Sequence, residues 1–183
     1  MPELDHGVGV ISSIGAEFAS LVQASLGGFN NISDFQNFVR DYVRPVLPHG
    51  TLLAALGRVT FDQLNIELMI PVDYPEVYLR QIKPNTTLKD RPVIAEWLAN
   101  RIPMLIDPIK DTDLLSELEK WEFETFGLER IAVHGQVDVS GRMASYFSFA
   151  QIPSNDEVYL QRLEAISPHL HTALMKTASA CNQ

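Results

Sequence analysis

Near one end the chain reads Ser167-Pro168-His169-Leu170-His171, and two histidines this close are the first candidates for chemistry. Residues i and i+2 of a helix point about 200° apart. His169 and His171 therefore cannot grip one metal from a regular helix, where a chelating pair needs i and i+4. No HExxH, CxxC or clustered Asp/His pattern accompanies them, so no metal site is expected. Nucleophiles fare no better. There is no GxSxG elbow, and the one cysteine, Cys181, lies in a polar tail without a resolving partner. The phosphate-cradling loops GxGxxG and GxxxxGK[ST] are absent. The carboxylates of "DTDLLSELEKWEFETFG" read as the solvated face of a helix. The sequence thus predicts no catalytic residue, no cofactor and no enzyme.

Binding is the better prospect. Tyr78, Trp97 and Asp107 form a polar and aromatic trio in an otherwise apolar stretch. Such a composition suits a small-molecule site. They predict a ligand pocket between a sheet and the middle helices. The competing uses are a core anchor for Trp97 and a turn for Asp107, which precedes Pro108.

The elements that would hold these residues follow from periodicity. Ile11, Ile14, Phe18, Leu21, Val22 and Leu26 recur near helical spacing, and Gly27 and Gly28 stop the helix. Ser33 with Gln36 fits a capping box for the next helix, which Pro45 should kink or end near Arg44. "TLLAALGRV" has the two apolar faces of a central strand. "LNIELMIPV" sets Leu64, Ile66, Leu68 and Ile70 against Asn65, Glu67 and Met69, a half-exposed strand closing a hairpin at "TFDQ". Residues 74–101 return to helix, broken near "KPNTT", with Asp90 as an N-cap and Pro92 in the first turn of a short helix. "IPMLIDP" is a short strand. An acidic helix follows, with Leu114, Leu115, Leu118, Trp121 and Phe126 at core spacing. A second hairpin turns at Ser140 and Gly141. The last helix opens on a Ser154/Glu157 capping box and carries the stripe Tyr159, Leu163, Ile166, Leu170 and Leu174. Pro168 should kink or divide it.

Two hairpins separated by helices imply an α+β fold, a GAF/PAS-like α-β-α sandwich on an antiparallel sheet of about five strands. With 183 residues and no linker, one domain over 1–183 is expected. Net charge is −9, from 14 Lys plus Arg against 23 Asp plus Glu, without a basic stripe. That disfavours direct nucleic-acid binding. No apolar run approaches the roughly 20 residues that span a bilayer, the acidic start lacks a signal-peptide pattern, and a lone cysteine fits a reducing compartment. A cytoplasmic protein is expected.

Three stretches, "VLPHGTLLAALG", "FGLERIAVHGQVDVSGRMASYFSFAQIP" and "LEAISPHLHTALMK", resemble in order the N-terminal domain of EpsA-type regulators, a LuxR-family group tied to exopolysaccharide loci. The resemblance covers most of residues 33–178. It implies a GAF-like, autoinducer-binding-like sensor domain that controls a helix-turn-helix domain, here absent after Ala178. Trp97 and Asp107-Pro108 resemble the ends of the family's ligand pattern, although Arg101 occupies its tyrosine slot. The resemblance also implies a homodimer. Its contact is expected on the terminal helices, Val10 to Leu26 and the seam of Leu163, Ile166, Leu170 and Leu174. The alternative is a stand-alone interaction module that pairs with a full-length regulator.

Overall fold

The computed structural model describes residues 6–81, 85–153 and 156–182, with side chains from residue 14 onward. Six antiparallel strands form one sheet, ordered β3-β2-β1-β6-β5-β4. They are β1 (Thr51–Thr60), β2 (Gln63–Val72), β3 (Asn85–Thr87), β4 (Met104–Ile106), β5 (Ile131–Val137) and β6 (Met143–Ala150). The helices are α1 (His6–Ser25), α2 (Ile32–Phe38), α3 (Arg44–Val46), α4 (Glu76–Leu79), α5 (Pro92–Asn100), α6 (Glu117–Phe126) and α7 (Asp156–Cys181). The sheet is antiparallel as expected, with six strands where about five are expected. The added strand, β3, sits where "KPNTT" was read as a break between helices, and its three residues are too short to show alternation.

Helices α2 and α7 cover one face of the sheet, and α1 packs against α7. Their core is closed: Leu52, Ala54, Phe147 and Phe149 from β1 and β6 meet Leu163, Ile166, Leu170 and Leu174 of α7, all at 0% exposure. This overturns the dimer seam. The stripe on α7 is consumed by the chain's own sheet, so a contact between two copies cannot run along Leu163, Ile166, Leu170 and Leu174. The side chains of Val10 and Ile11, and the Ser154 half of the expected capping box, lie outside the described residues.

Several boundaries move for local reasons. Helix α2 starts two residues early, because Asn31, not Ser33, is the cap: its side chain accepts from the Asp34 amide at 3.0 Å, and Asp34 accepts from the Asn30 amide at 2.8 Å. Pro45 does not end the helical run. The chain widens into a π turn over Val39–Val43, with the Arg44 amide donating to the Val39 carbonyl, and resumes as α3. An α-helical carbonyl at Asp41 would have met the proline ring. Helix α7 runs undivided through Pro168. The bond lost is to the carbonyl of Glu164, an exposed residue, and water can satisfy it.

Strand β2 changes faces midway. Leu56 pairs with Leu68 but Gly57 with Ile66, so Glu67 is an extra residue. Before this bulge Leu64 and Ile66 face one side; beyond it Leu68, Ile70 and Val72 face the α7 core. The single apolar face read from the sequence is therefore split between two sides of the sheet. Gly57 sits at the bulge because a Cβ there would lie 2.8 Å from the Asn65 carbonyl oxygen.

Candidate functional site

The other face of the sheet is not closed. On the central strands Leu53, Ala55, Tyr146 and Ser148 are only partly buried, although their neighbours on the α7 side are sealed. They floor a cavity of about 100 Å³ roofed by α4, α5 and α6. Leu64, Ile66 and Met69 extend the apolar floor, and Val93, Ile94, Leu98 and Phe123 complete the roof.

Aromatic rings make the walls. Tyr74 and Tyr78 stack with centroids 4.6 Å apart, and Phe126 meets Tyr78 edge-on at 4.6 Å. Trp97 approaches Tyr146 at 5.4 Å. The Trp97 indole N–H is already committed, donating to His134 Nδ1 at 3.1 Å. His134 must therefore be neutral, with its proton on Nε2, and burial keeps its pKa below the ordinary histidine value. Trp97 offers the cavity an aromatic surface and no donor. This contact forms where β5 runs past the end of β4, which pairs only with residues 131–133. Gly135 admits the indole there, since a Cβ would stand 3.1 Å from the Trp97 ring and 1.9 Å from the Ser145 carbonyl oxygen.

One corner is charged. Arg91 grips Glu122 with two hydrogen bonds of 2.5 and 2.7 Å. Burial opposes the guanidinium charge, and the bonds to Glu122 outweigh it, leaving the Arg91 pKa above its ordinary value. Glu119 lies beside this pair, held by the Ser116 amide at 3.1 Å and the Val93 amide at 3.4 Å. It completes the capping box of α6, in which its own amide donates to Ser116 Oγ at 3.2 Å. Burial nonetheless pushes its carboxyl up. Burial also raises Tyr74, to about 12, and raises Tyr78 and Tyr146, so all three phenols are neutral. Among the described residues the hydroxyls of Tyr78 and Tyr146 have no hydrogen-bond partner, and both side chains line the cavity.

Of the expected ligand trio, Tyr78 and Trp97 are brought together on this cavity, at 5% and 1% exposure. Asp107 is not. It holds a turn, accepting from the Ile109 amide at 3.0 Å while its own amide donates to Asp111 at 2.8 Å. The amides of Ile109 and Lys110 hold its carboxyl below the usual range. Asp90 likewise serves a turn, bonded by Thr87 Oγ1 at 2.8 Å, and Arg91 takes the N-cap position of α5.

The acidic helix is the main correction. Leu118 and Trp121 are each 41% exposed, whereas Glu119 and Glu122 are 5% and 7% exposed. The helix starts at Glu117, so its inner face carries Glu119, Glu122 and Phe123. The signal for this was the Ser116-x-x-Glu119 spacing of a capping box. The terminal histidines separate as their spacing requires. His169 packs against Phe18 and Ser25 of α1, and His171 Nδ1 lies 2.9 Å from Ser145 Oγ in β6. Among the described residues no group of three His, Cys, Asp or Glu is placed to hold a metal ion.

The sequence matches no family model and no curated protein. The fold does have solved neighbours. An N-acylhomoserine lactone dependent LuxR family transcription factor, CepR2 of Burkholderia cenocepacia, aligns at TM-score 0.65 and 12% identity over 93% of this chain and 99% of its own. SdiA of Escherichia coli aligns at 0.58 and 13%, over 92% of this chain and 69% of its own. The GAF domain of a two-component sensor histidine kinase from Bacillus halodurans aligns at 0.56 and 17%, over 84% and 99%. At these identities the likeness is one of fold.

Proposed function

We propose that the chain is a sensor domain of a LuxR-type regulator of the EpsA kind, which binds a small molecule between the sheet and helices α5 and α6. The observation that carries this is the contrast between the two sheet faces. On the α7 side Leu52, Ala54, Phe147 and Phe149 are at 0% exposure, while the same two central strands leave Leu53, Ala55 and Tyr146 facing a cavity of about 100 Å³. Interiors pack to crystal-like density, so apolar and aromatic surface kept uncovered in the middle of a domain suits a ligand site. The volume, about 100 Å³, is about two thirds of the roughly 150 Å³ of an apolar cavity that binds benzene. The resemblance of three stretches to EpsA-type regulators and the fold shared with CepR2 both support this reading.

A filled cavity tests it. Ala55, on the central strand β1, lines the floor, and Ala55→Phe would occupy the space a ligand needs. Fractionated small-molecule extracts are screened for a rise in the melting temperature of the chain. The expected result is a fraction that raises it by several degrees for the parent and leaves Ala55→Phe unchanged. An equal rise in both proteins, or no active fraction, overturns the reading.

A further inference from the structure

The walls of the cavity also say what charge its ligand carries, an inference that rests on the sensor reading above. Among the described residues three charged side chains line it: Arg91, Glu119 and Glu122. Arg91 is spent on Glu122, which it holds through both carboxylate oxygens. Arg91 also attracts Glu119, but one guanidinium then faces two carboxyl groups, and Glu119 has no hydrogen-bonded cation of its own. Two backbone amides and the turn of α6 hold it, but a buried carboxylate pays for the water it has lost. The rings of Tyr74, Tyr78, Trp97 and Tyr146 line the same cavity, with no amine or second guanidinium among its lining residues. Aromatic faces carry negative potential and attract cations, more strongly once both are out of water. Tyr78, at 5% exposure, adds a hydroxyl with no partner among the described residues, free to accept from an N–H.

We propose that the ligand is a small organic cation, an amine on an aromatic or compact apolar body, whose charge is received by Glu119 and the tyrosine faces. An anion would bring a second unpaired negative charge into the same corner. A neutral ring would fit the floor but leave Glu119 uncompensated.

Three probes of one size separate these cases: benzylamine, benzyl alcohol and benzoate, titrated calorimetrically into the chain and into Glu119→Gln. Glutamine keeps the α6 capping box, so the variant is expected to fold. Benzylamine should bind about tenfold more tightly than benzyl alcohol, benzoate should not bind, and Glu119→Gln should bring the amine down to the level of the alcohol. Equal or tighter binding of the alcohol or benzoate, or a preference for the amine that survives in Glu119→Gln, overturns the charge assignment while leaving the sensor reading intact. Failure of all three at millimolar concentration overturns both.

Discussion

Arg91 and Glu122 are 15% and 9% exposed at their side chains and joined by two hydrogen bonds. Removing one partner strands the other charge. Arg91→Ala should therefore cost about 3–5 kcal/mol, read as a fall in the urea midpoint. Exposed Arg80 and Glu76, 3.8 Å apart, provide the control, and Arg80→Ala should change stability by less than about 1 kcal/mol. Sequence reasoning found Tyr78 and Trp97 because aromatic residues are rare enough to stand out. It missed Arg91, Glu119 and Glu122 because charged residues are ordinarily solvated. Only the Ser116-x-x-Glu119 spacing hinted at which carboxylate turns inward. Asp107 was misread for a similar reason: Asp before Pro serves turns and ligands alike, and the five residues 107–111 close on themselves.

Elements with strong periodicity were legible. Both hairpins, the inner face of α7 and the central position of β1 between β2 and β6 agree with apolar spacing. Features that break a period were not. The bulge at Glu67, the π turn before Pro45 and the three-residue β3 each depend on how a neighbouring element pairs or packs. Pro168 gives a direct measure of such an override. It sits exposed within 26 continuous helical residues, so packing of α7 outweighs the broken ladder. Pro168→Ala should restore a hydrogen bond to Glu164 and raise stability by about 1–3 kcal/mol in denaturant unfolding. Gly135→Ala should do the opposite. Its Cβ would collide with the Ser145 carbonyl across β5 and β6, costing about 1–3 kcal/mol or more and disturbing the Trp97–His134 contact.

The whole molecule is one sheet with a packed side and a hollow side. Its stability should depend on pH through buried histidines. Burial lowers His49 to about 4 and also holds His134 and His171 below the ordinary 6.5. The unfolded chain takes up these protons near pH 6.5 and the folded chain resists. The stabilisation is thus complete above pH 6.5 and is lost as pH falls toward the folded values. The urea midpoint should be lower at about pH 5.5 than at about pH 7.5. Burial raises Glu119, which acts in the opposite sense above its ordinary 4.5. An unchanged or higher midpoint at the lower pH would contradict this net linkage through the buried histidines.

The hollow side is the centre of the account, and Trp97 reports on it. The chain has two tryptophans, and Trp121 is 41% exposed, so Trp121→Phe leaves Trp97 as the sole indole, in the cavity wall. A small molecule that stabilises the chain should shift or quench Trp97 emission saturably, with the same dissociation constant that calorimetry gives. A ligand that binds by calorimetry and leaves Trp97 emission unchanged occupies some other surface, and would contradict the claim that this cavity is the sensor site.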